Sequence, residues 1–169
     1  VPANLNVEDR WILSEFSETM AQVCKAWADL DIYTATQSLK NFGTGILPSH
    51  WLEMAKSRLY DGDSAASWTI HRIVRDFMAA FSPICPFFSH HITTSLYGGS
   101  AVDVREFPNL LEVDEELCSK TAQVIEFNSM VWKQKKDLGL SLNSPVEGIE
   151  IPTELSEFTT VLTAMHKLE

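Results

Sequence analysis

Asp9-Arg10-Trp11-Ile12-Leu13, taken with its counterpart Trp51-Leu52-Glu53-Met54-Ala55-Lys56-Ser57-Arg58-Leu59-Tyr60, decides the fold. The first phrase opens a stripe in which Trp11, Ile12, Phe16, Met20, Val23, Cys24 and Trp27 recur at helical spacing, so one face of a long helix stays apolar to about Leu30. Asn6 stands where an N-cap belongs. Asp9 lies at the third helical position, from which a carboxylate reaches back to the cap, and Glu8 and Asp9 complement the dipole of the first turn.

Working outward, a second helical pattern begins near Asp31 with Ile32, Tyr33, Ala35, Leu39 and Phe42, then meets Gly43-Thr44-Gly45 and Pro48. Each glycine costs about 1 kcal/mol relative to alanine in a helix interior, and proline lacks the N–H that a helix needs. A break or kink is therefore predicted between residues 43 and 49. The pattern resumes through Trp51, Leu52, Met54, Ala55 and Leu59, and Asp61-Gly62-Asp63 turns the chain. Ser64 or Asp63 caps a third helix carrying Trp68, Ile70, Ile73, Val74, Phe77, Met78 and Phe81, which Pro83 and Pro86 end. Phe87, Phe88, Ile92 and Leu96 give a short fourth helix closing at Gly98-Gly99.

These patterns predict a mainly α fold: a bundle of four to five helices over residues 1–108, its connector ending at Phe107-Pro108, and a small α+β subdomain over residues 109–169. In the second part, Asp114 caps a fifth helix with Leu117, Val124, Ile125, Val131 and Trp132, stopping near Gly139. Leu140, Leu142, Val146, Ile149 and Ile151 then alternate with polar residues, which predicts a short strand pair. Thr153 or Ser156 opens a last helix through Phe158, Val161, Leu162 and Met165.

Composition narrows the function classes. At 169 residues and 45% hydrophobic, the chain can bury one good core and a smaller second one. Its sequence holds no apolar run long enough to span a membrane and no signal peptide, which predicts a cytoplasmic protein without a membrane partner. Cys24, Cys85 and Cys118 are widely spaced, with no Cys-x-x-Cys, and are expected to be reduced and mostly buried. The chain opens at Val1 without a methionine, in an Asn/Pro-containing stretch before the first periodic segment, so it is expected to be a piece of something longer. A net charge of -10 opposes general nucleic-acid binding, because affinity for phosphate rests on Lys and Arg releasing counterions. The excess is spread: residues 1–107 hold 8 basic and 12 acidic groups and the remainder 5 and 11, so local basic stripes survive.

Motifs for catalysis are missing. There is no Gly-rich phosphate loop, no Gly-x-Ser-x-Gly and no His-Glu-x-x-His. Adjacent helical residues such as His90 and His91 point about 100° apart and do not chelate one ion together. Cys85, beside prolines and without a basic neighbour, is expected to fill core. No catalytic, cofactor or metal residue is assigned to this chain.

The basic residues carry more. Lys56 and Arg58, with Arg72 and Arg75, fall on helices that should be neighbours, and Lys133, Lys135 and Lys136 form the densest basic cluster, near a helix C-terminus whose dipole also favours them. For Arg10, Arg58 and Arg75 the competing reading is an ion pair inside the bundle with Asp9, Glu53 or Asp76. Single-stranded bases are read by stacking and by hydrogen bonds to their edges, and Lys40-Asn41-Phe42 offers a cation, an amide and a ring beside the predicted helix break. Trp11, Trp27, Trp51 and Trp68 are expected in the core.

Together the two opening phrases, Tyr33 to Phe42, Pro83 to Phe88, Leu96-Tyr97 and Phe107-Pro108 resemble, in order and spacing, the anticodon-binding region of the class I aminoacyl-tRNA synthetases. Within that family, Glu53-Met54 followed by Lys56 and Arg58-Leu59-Tyr60 looks most like the archaeal-type valine branch, and Leu140 to Pro145 looks like its short C-terminal extension. The isoleucine branch is the nearest alternative. The chain departs from the family at His90-His91, where glutamates are usual, and at Gly43-Thr44, where an aromatic is usual. It also lacks the His-Ile-Gly-His and Lys-Met-Ser-Lys-Ser signatures. The resemblance implies a tRNA-binding piece that holds the anticodon stem-loop of valine tRNA, while catalytic and editing domains of the same longer chain use ATP and Mg. The tRNA-binding candidates are then Arg10, Lys40, Asn41, Phe42, Lys56, Arg58, Arg72, Arg75, Lys133, Lys135 and Lys136. A rival reading, a stand-alone helical protein-interaction module without RNA, is motivated by the charge and by those departures.

Overall fold

A computed structural model describes residues 2–98 and 110–169. It is mainly helical in those segments. Helix α1 runs Val7–Ala28, with the Asn6 backbone N–H donating to Asp9 Oδ2 in the expected capping box. Asp31 caps α2, Ile32–Asn41, by accepting from the Thr34 N–H. Asp63 caps α4, Ser64–Phe81, in the same way through Ala66. Pro86 occupies the first turn of α5, Pro86–Tyr97, which ends on Gly98 in the left-handed conformation at φ 70°.

The expected break at residues 43–49 takes an unexpected form. The chain stays helical but widens into a π segment, Phe42–Trp51, that leads directly into α3, Leu52–Tyr60. At its end the Leu52 N–H reaches back five residues to the Leu47 carbonyl. Pro48 supplies the reason: its missing N–H and its ring are at odds with regular i to i-4 bonding, and a wider turn relieves both. Gly43 serves packing as well. A Cβ there would lie 2.9 Å from Phe77 Cζ, so the absent side chain lets the α4 ring sit against the helix.

Helix α1 is the axis of the core. Trp11, Ile12, Met20, Val23, Leu39, Trp51 and Ile73 are completely buried, and Phe16 packs on Phe42 with ring centroids 5.1 Å apart. Trp27 and Trp68 pack against this core half-buried. The same cluster continues into the C-terminal part through Leu117, Val124, Val131, Leu155, Phe158 and Leu162. Trp11 makes that join: its ring meets Phe158 edge-on and its Nε1–H donates to Thr121 Oγ1 at 2.8 Å.

Two expectations for the C-terminal part are corrected. The single fifth helix is two, α6 at Glu115–Ser119 and α7 at Thr121–Asp137, broken at Lys120 next to the threonine that Trp11 and Glu15 hold. The strand pair, and with it the α+β subdomain, does not form among the described residues. One parallel bridge pairs Val146 with Leu168 instead. Pro145 and Pro152 withdraw two donors from any ladder, and the Lys135 ammonium takes the carbonyls of Leu142 and Ser144 that a strand would need. A 3₁₀ turn, Thr153–Phe158, leads into the last helix, α8, at Thr159–His166. The expected closing turn at Gly99 and the Phe107-Pro108 connector lie outside the described residues. Among the described residues, no helix is long and apolar enough to cross a membrane.

Candidate nucleic-acid interface

The two phrases that open the chain's reading meet in space. Asp9, wholly buried at the start of α1, accepts from Arg58 Nη2 at 2.7 Å, from Trp51 Nε1 at 3.3 Å and from the Asn6 N–H. Arg58 also bonds Glu8 at 2.5 Å and Asp63 at 3.1 Å. Burial works against its charge, yet the hydrogen bonds to Asp9 and Asp63 and the charges of Asp9 and Glu8 hold its pKa above the usual value. Arg58 is thus committed to three carboxylates that fasten α3 to α1.

The other candidates divide by what they already bind. Arg10 pairs with Asp114 at 3.6 Å, Lys56 with Glu53 at 3.4 Å, and Arg72 and Arg75 both with Asp76. Phe42 is 1% exposed, so its ring belongs to the core and has no face for a base. Lys135 is buried, and its ammonium donates to the carbonyls of Leu142, Ser144 and His166 at 2.8, 2.8 and 2.6 Å. All three of its protons are used. Lys40, Asn41, Lys133 and Lys136 are exposed, and no carboxylate is paired with these three lysines among the described residues.

Asn41 borders a groove of about 240 Å³ between α1 and the α2–π rod, whose walls include Glu15, Glu18, Thr19, Gln22, Ser38 and Ile46. Such walls offer amide, hydroxyl and carboxylate groups at hydrogen-bonding height, suited to base edges more than to phosphates. Lys40 precedes Asn41 on the same rod. Sequence reasoning missed Gln22 and Ser38, because polar residues on a helix flank carry no signal until the partner helix is placed beside them.

Glu15, Glu18 and Cys118 bring possible ligand atoms within 4.8 Å of one another at the groove's edge. Their chemistry favours hydrogen bonding over metal capture. Burial raises the Glu15 pKa despite the bonds from Thr121 and Cys118, and burial, followed by the Glu15 charge, pushes the Cys118 thiol up to about 12. A thiol held protonated against a carboxylate is a poor thiolate ligand.

A second polar group also escaped the sequence. His50, at the end of the π segment, takes the Asn128 amide N–H on Nδ1 at 3.0 Å, and Asn128 Oδ1 accepts from His166 Nε2 at 2.7 Å. Trp132 stacks on His50, with centroids 5.6 Å apart, and meets His166 edge-on. The available signal was Asn128 itself, an amide on the buried face of α7 between Val124, Phe127 and Val131.

Exposed lysines and amides thus lie on the outside of a helical bundle, and comparison with known proteins gives its kind. A family model described as the anticodon-binding domain of tRNA ligase matches residues 9–151. The chain belongs to that family. Its relatives include the valine–tRNA ligases of Saccharolobus solfataricus, 33% identical over 86% of this chain, and of Aeropyrum pernix, 30% identical over 94%. A third, from Methanothrix thermoacetophila, is 32% identical over 87%. The matches cover 18%, 21% and 17% of those ligases, so the chain spans about a fifth of their length.

Proposed function

We propose that this chain is the part of a cytoplasmic valine–tRNA ligase that binds the anticodon stem-loop of valine tRNA. Catalytic and editing parts of the longer protein would supply the ATP- and Mg-dependent ligation. The observation that carries the reading is the relationship over residues 9–151 to the anticodon-binding family, with relatives that are valine–tRNA ligases. Such a domain contributes binding energy and orientation, placing the distant acceptor end of the tRNA where the chemistry occurs.

The geometry ranks the contacts. Asn41 and its groove are suited to base edges, with Lys40 beside them for phosphate, and Lys133 and Lys136 are free to meet the backbone. Lys56, Arg10, Arg72 and Arg75 would have to trade a carboxylate for a phosphate. Arg58, Lys135 and Phe42 are assigned to the fold. The proposal also accommodates the acidic balance, since a few local contacts, and not overall charge, set the salt slope.

The test is a titration of the chain with an anticodon stem-loop of valine tRNA and with the same RNA carrying a changed anticodon, at two salt concentrations. Preference for the valine anticodon, weakening with salt, is the expected result. Equal binding would reduce the role to backbone contact, and no binding would overturn it.

A further inference from the structure

The buried chain His50, Asn128, His166 joins three parts of the molecule that are far apart in sequence: the π segment, α7 and the end of α8. Its directionality follows from the orientation of the Asn128 amide. Asn128 Nδ2 donates, so His50 Nδ1 must carry a lone pair. Asn128 Oδ1 accepts, so His166 Nε2 must carry a proton. The charged group facing this chain is Lys135, whose ammonium bonds the His166 carbonyl and has spent its three protons on carbonyls. Lys167 adds a second positive charge near Lys135. The pocket therefore holds one satisfied cation and two neutral imidazoles, with no carboxylate bonded to any of the three among the described residues. A proton added to His50 would remove the acceptor that Asn128 needs, and one added to His166 would face Lys135.

The position of this chain gives it leverage. His50 is the ninth residue of a ten-residue π segment, Phe42–Trp51, whose first turn follows Lys40 and Asn41. A wide helical turn around a proline has fewer regular bonds to hold its shape than an α-helix, so it relies on side chains from outside. At its C-terminal end, Trp132 stacked on His50 and Asn128 bonded to it are among those outside contacts.

We propose that Asn128 is a positioning residue for RNA recognition: by bridging His50 and His166 it holds the π segment, and hence the Lys40-Asn41 edge, in the geometry that discriminates the anticodon. The proposal rests on the RNA-reading function argued above. It predicts that discrimination depends on a residue that touches no RNA and on the neutrality of two buried histidines.

The experiment compares the chain with its Asn128→Leu variant, which keeps the branched side-chain shape and removes both bonds. Amide hydrogen exchange over residues 42–51 is measured alongside the ratio of affinities for the valine and changed anticodon stem-loops, at pH 7.5 and 4. Expected are faster exchange in the π segment at unchanged helix content and a loss of about tenfold in that ratio, the equivalent of one to two hydrogen bonds. The wild-type ratio falls at pH 4, where the folded chain begins to protonate this pair. His50→Asn and His166→Gln, which keep the acceptor and the donor but cannot be protonated, keep the ratio at both pH values when combined. Unchanged exchange in Asn128→Leu, or faster exchange with an unchanged ratio, overturns the proposal. A wild-type chain that prefers neither anticodon overturns the underlying reading and is recognised before any variant is made.

Discussion

Two buried polar centres hold this molecule together, and they solve the same problem in opposite ways. At the start of α1, Arg58 meets Glu8, Asp9 and Asp63, so charge answers charge. Beside α7 and α8, Lys135 meets no carboxylate among the described residues and is satisfied by three backbone carbonyls, while its neighbours His50, Asn128 and His166 are neutral. The first centre fastens helices whose sequences advertise the partnership. The second fixes a loop that has no regular structure of its own, and it has no charge partner to write into the sequence. The difference teaches that a buried cation can be bound by side chains or by backbone, and that its response to mutation, salt and pH follows from which.

Breaking the charged centre should have the largest effect. Arg58→Ala leaves Asp9 and Glu8, both nearly inaccessible, without their cation, and stripping one partner from a buried ion pair costs about 3–5 kcal/mol. Urea denaturation followed by circular dichroism would measure it. A loss below about 1 kcal/mol would mean that water already screens the cluster. This size of effect also matters for RNA binding, since a weakened Arg58 variant reports on folding before it reports on contact.

Acid separates the two centres next. Burial, and then the Lys135 charge, pull the His166 pKa down to about 4, and burial lowers that of His50 as well. The unfolded chain takes up these protons first, near the ordinary 6.5, so the stability they contribute is complete above that pH and is lost as pH falls toward about 4. For His166 the full loss is about 3 kcal/mol. Glu15, whose pKa burial raises, works the other way and returns part of it at the acid end. Denaturation at pH 7.5, 6 and 5 should show a decline that His166→Gln reduces; a flat profile would remove the neutral-imidazole account.

Lys135→Met tests the carbonyl-bound cation. The methionine fills the stem of the pocket but leaves three acceptors, two of which sit on a surface loop and can turn to water, so about 2 kcal/mol is expected. The loop should loosen more than the bundle, visible as faster amide exchange over residues 138–146 than over α1. Uniform loosening would show that Lys135 supports the whole core.

The contrast explains how much of the structure could be read beforehand. The helices of the bundle were legible because apolar periodicity, the cap Asn6, the starts near Asp31 and at Ser64 or Asp63, and the stops at Pro83, Pro86 and Gly98 act within a turn or two of chain. The competing ion-pair reading of Arg75 with Asp76 was visible for the same reason. Lys133, Lys135 and Lys136 look alike in sequence, yet one is buried and two are free, because the carbonyls that capture Lys135 belong to positions whose side chains say nothing about them. The alternation from Leu140 to Ile151 suggested strands for a related reason: periodicity records which side chains face inward, not whether the backbone has a partner. Of the candidate surface, Lys40 and Asn41 were legible from the glycines and the proline that follow them. The groove beside Asn41 was not, since it exists only once α1 lies against α2.

A residue in neither centre sets the scale for all of this. Leu30 follows α1 with φ 58°, a conformation that costs a side-chain-bearing residue about 1 kcal/mol, and its side chain is 83% exposed. The next residue's N–H, on Asp31, closes on the Ala26 carbonyl, the helix-ending bond that glycine usually serves. Leu30→Gly removes the steric cost and gives up little burial, but it also frees the unfolded chain, so a net gain of about 0.5 kcal/mol is expected. Because the site touches neither buried centre, the gain should be the same at pH 7.5 and pH 5, and it should add to the loss in Arg58→Ala when the two are combined. A gain that changes with pH would mean that the α1–α2 turn is coupled to the histidines, and the separation of the two centres would then fail.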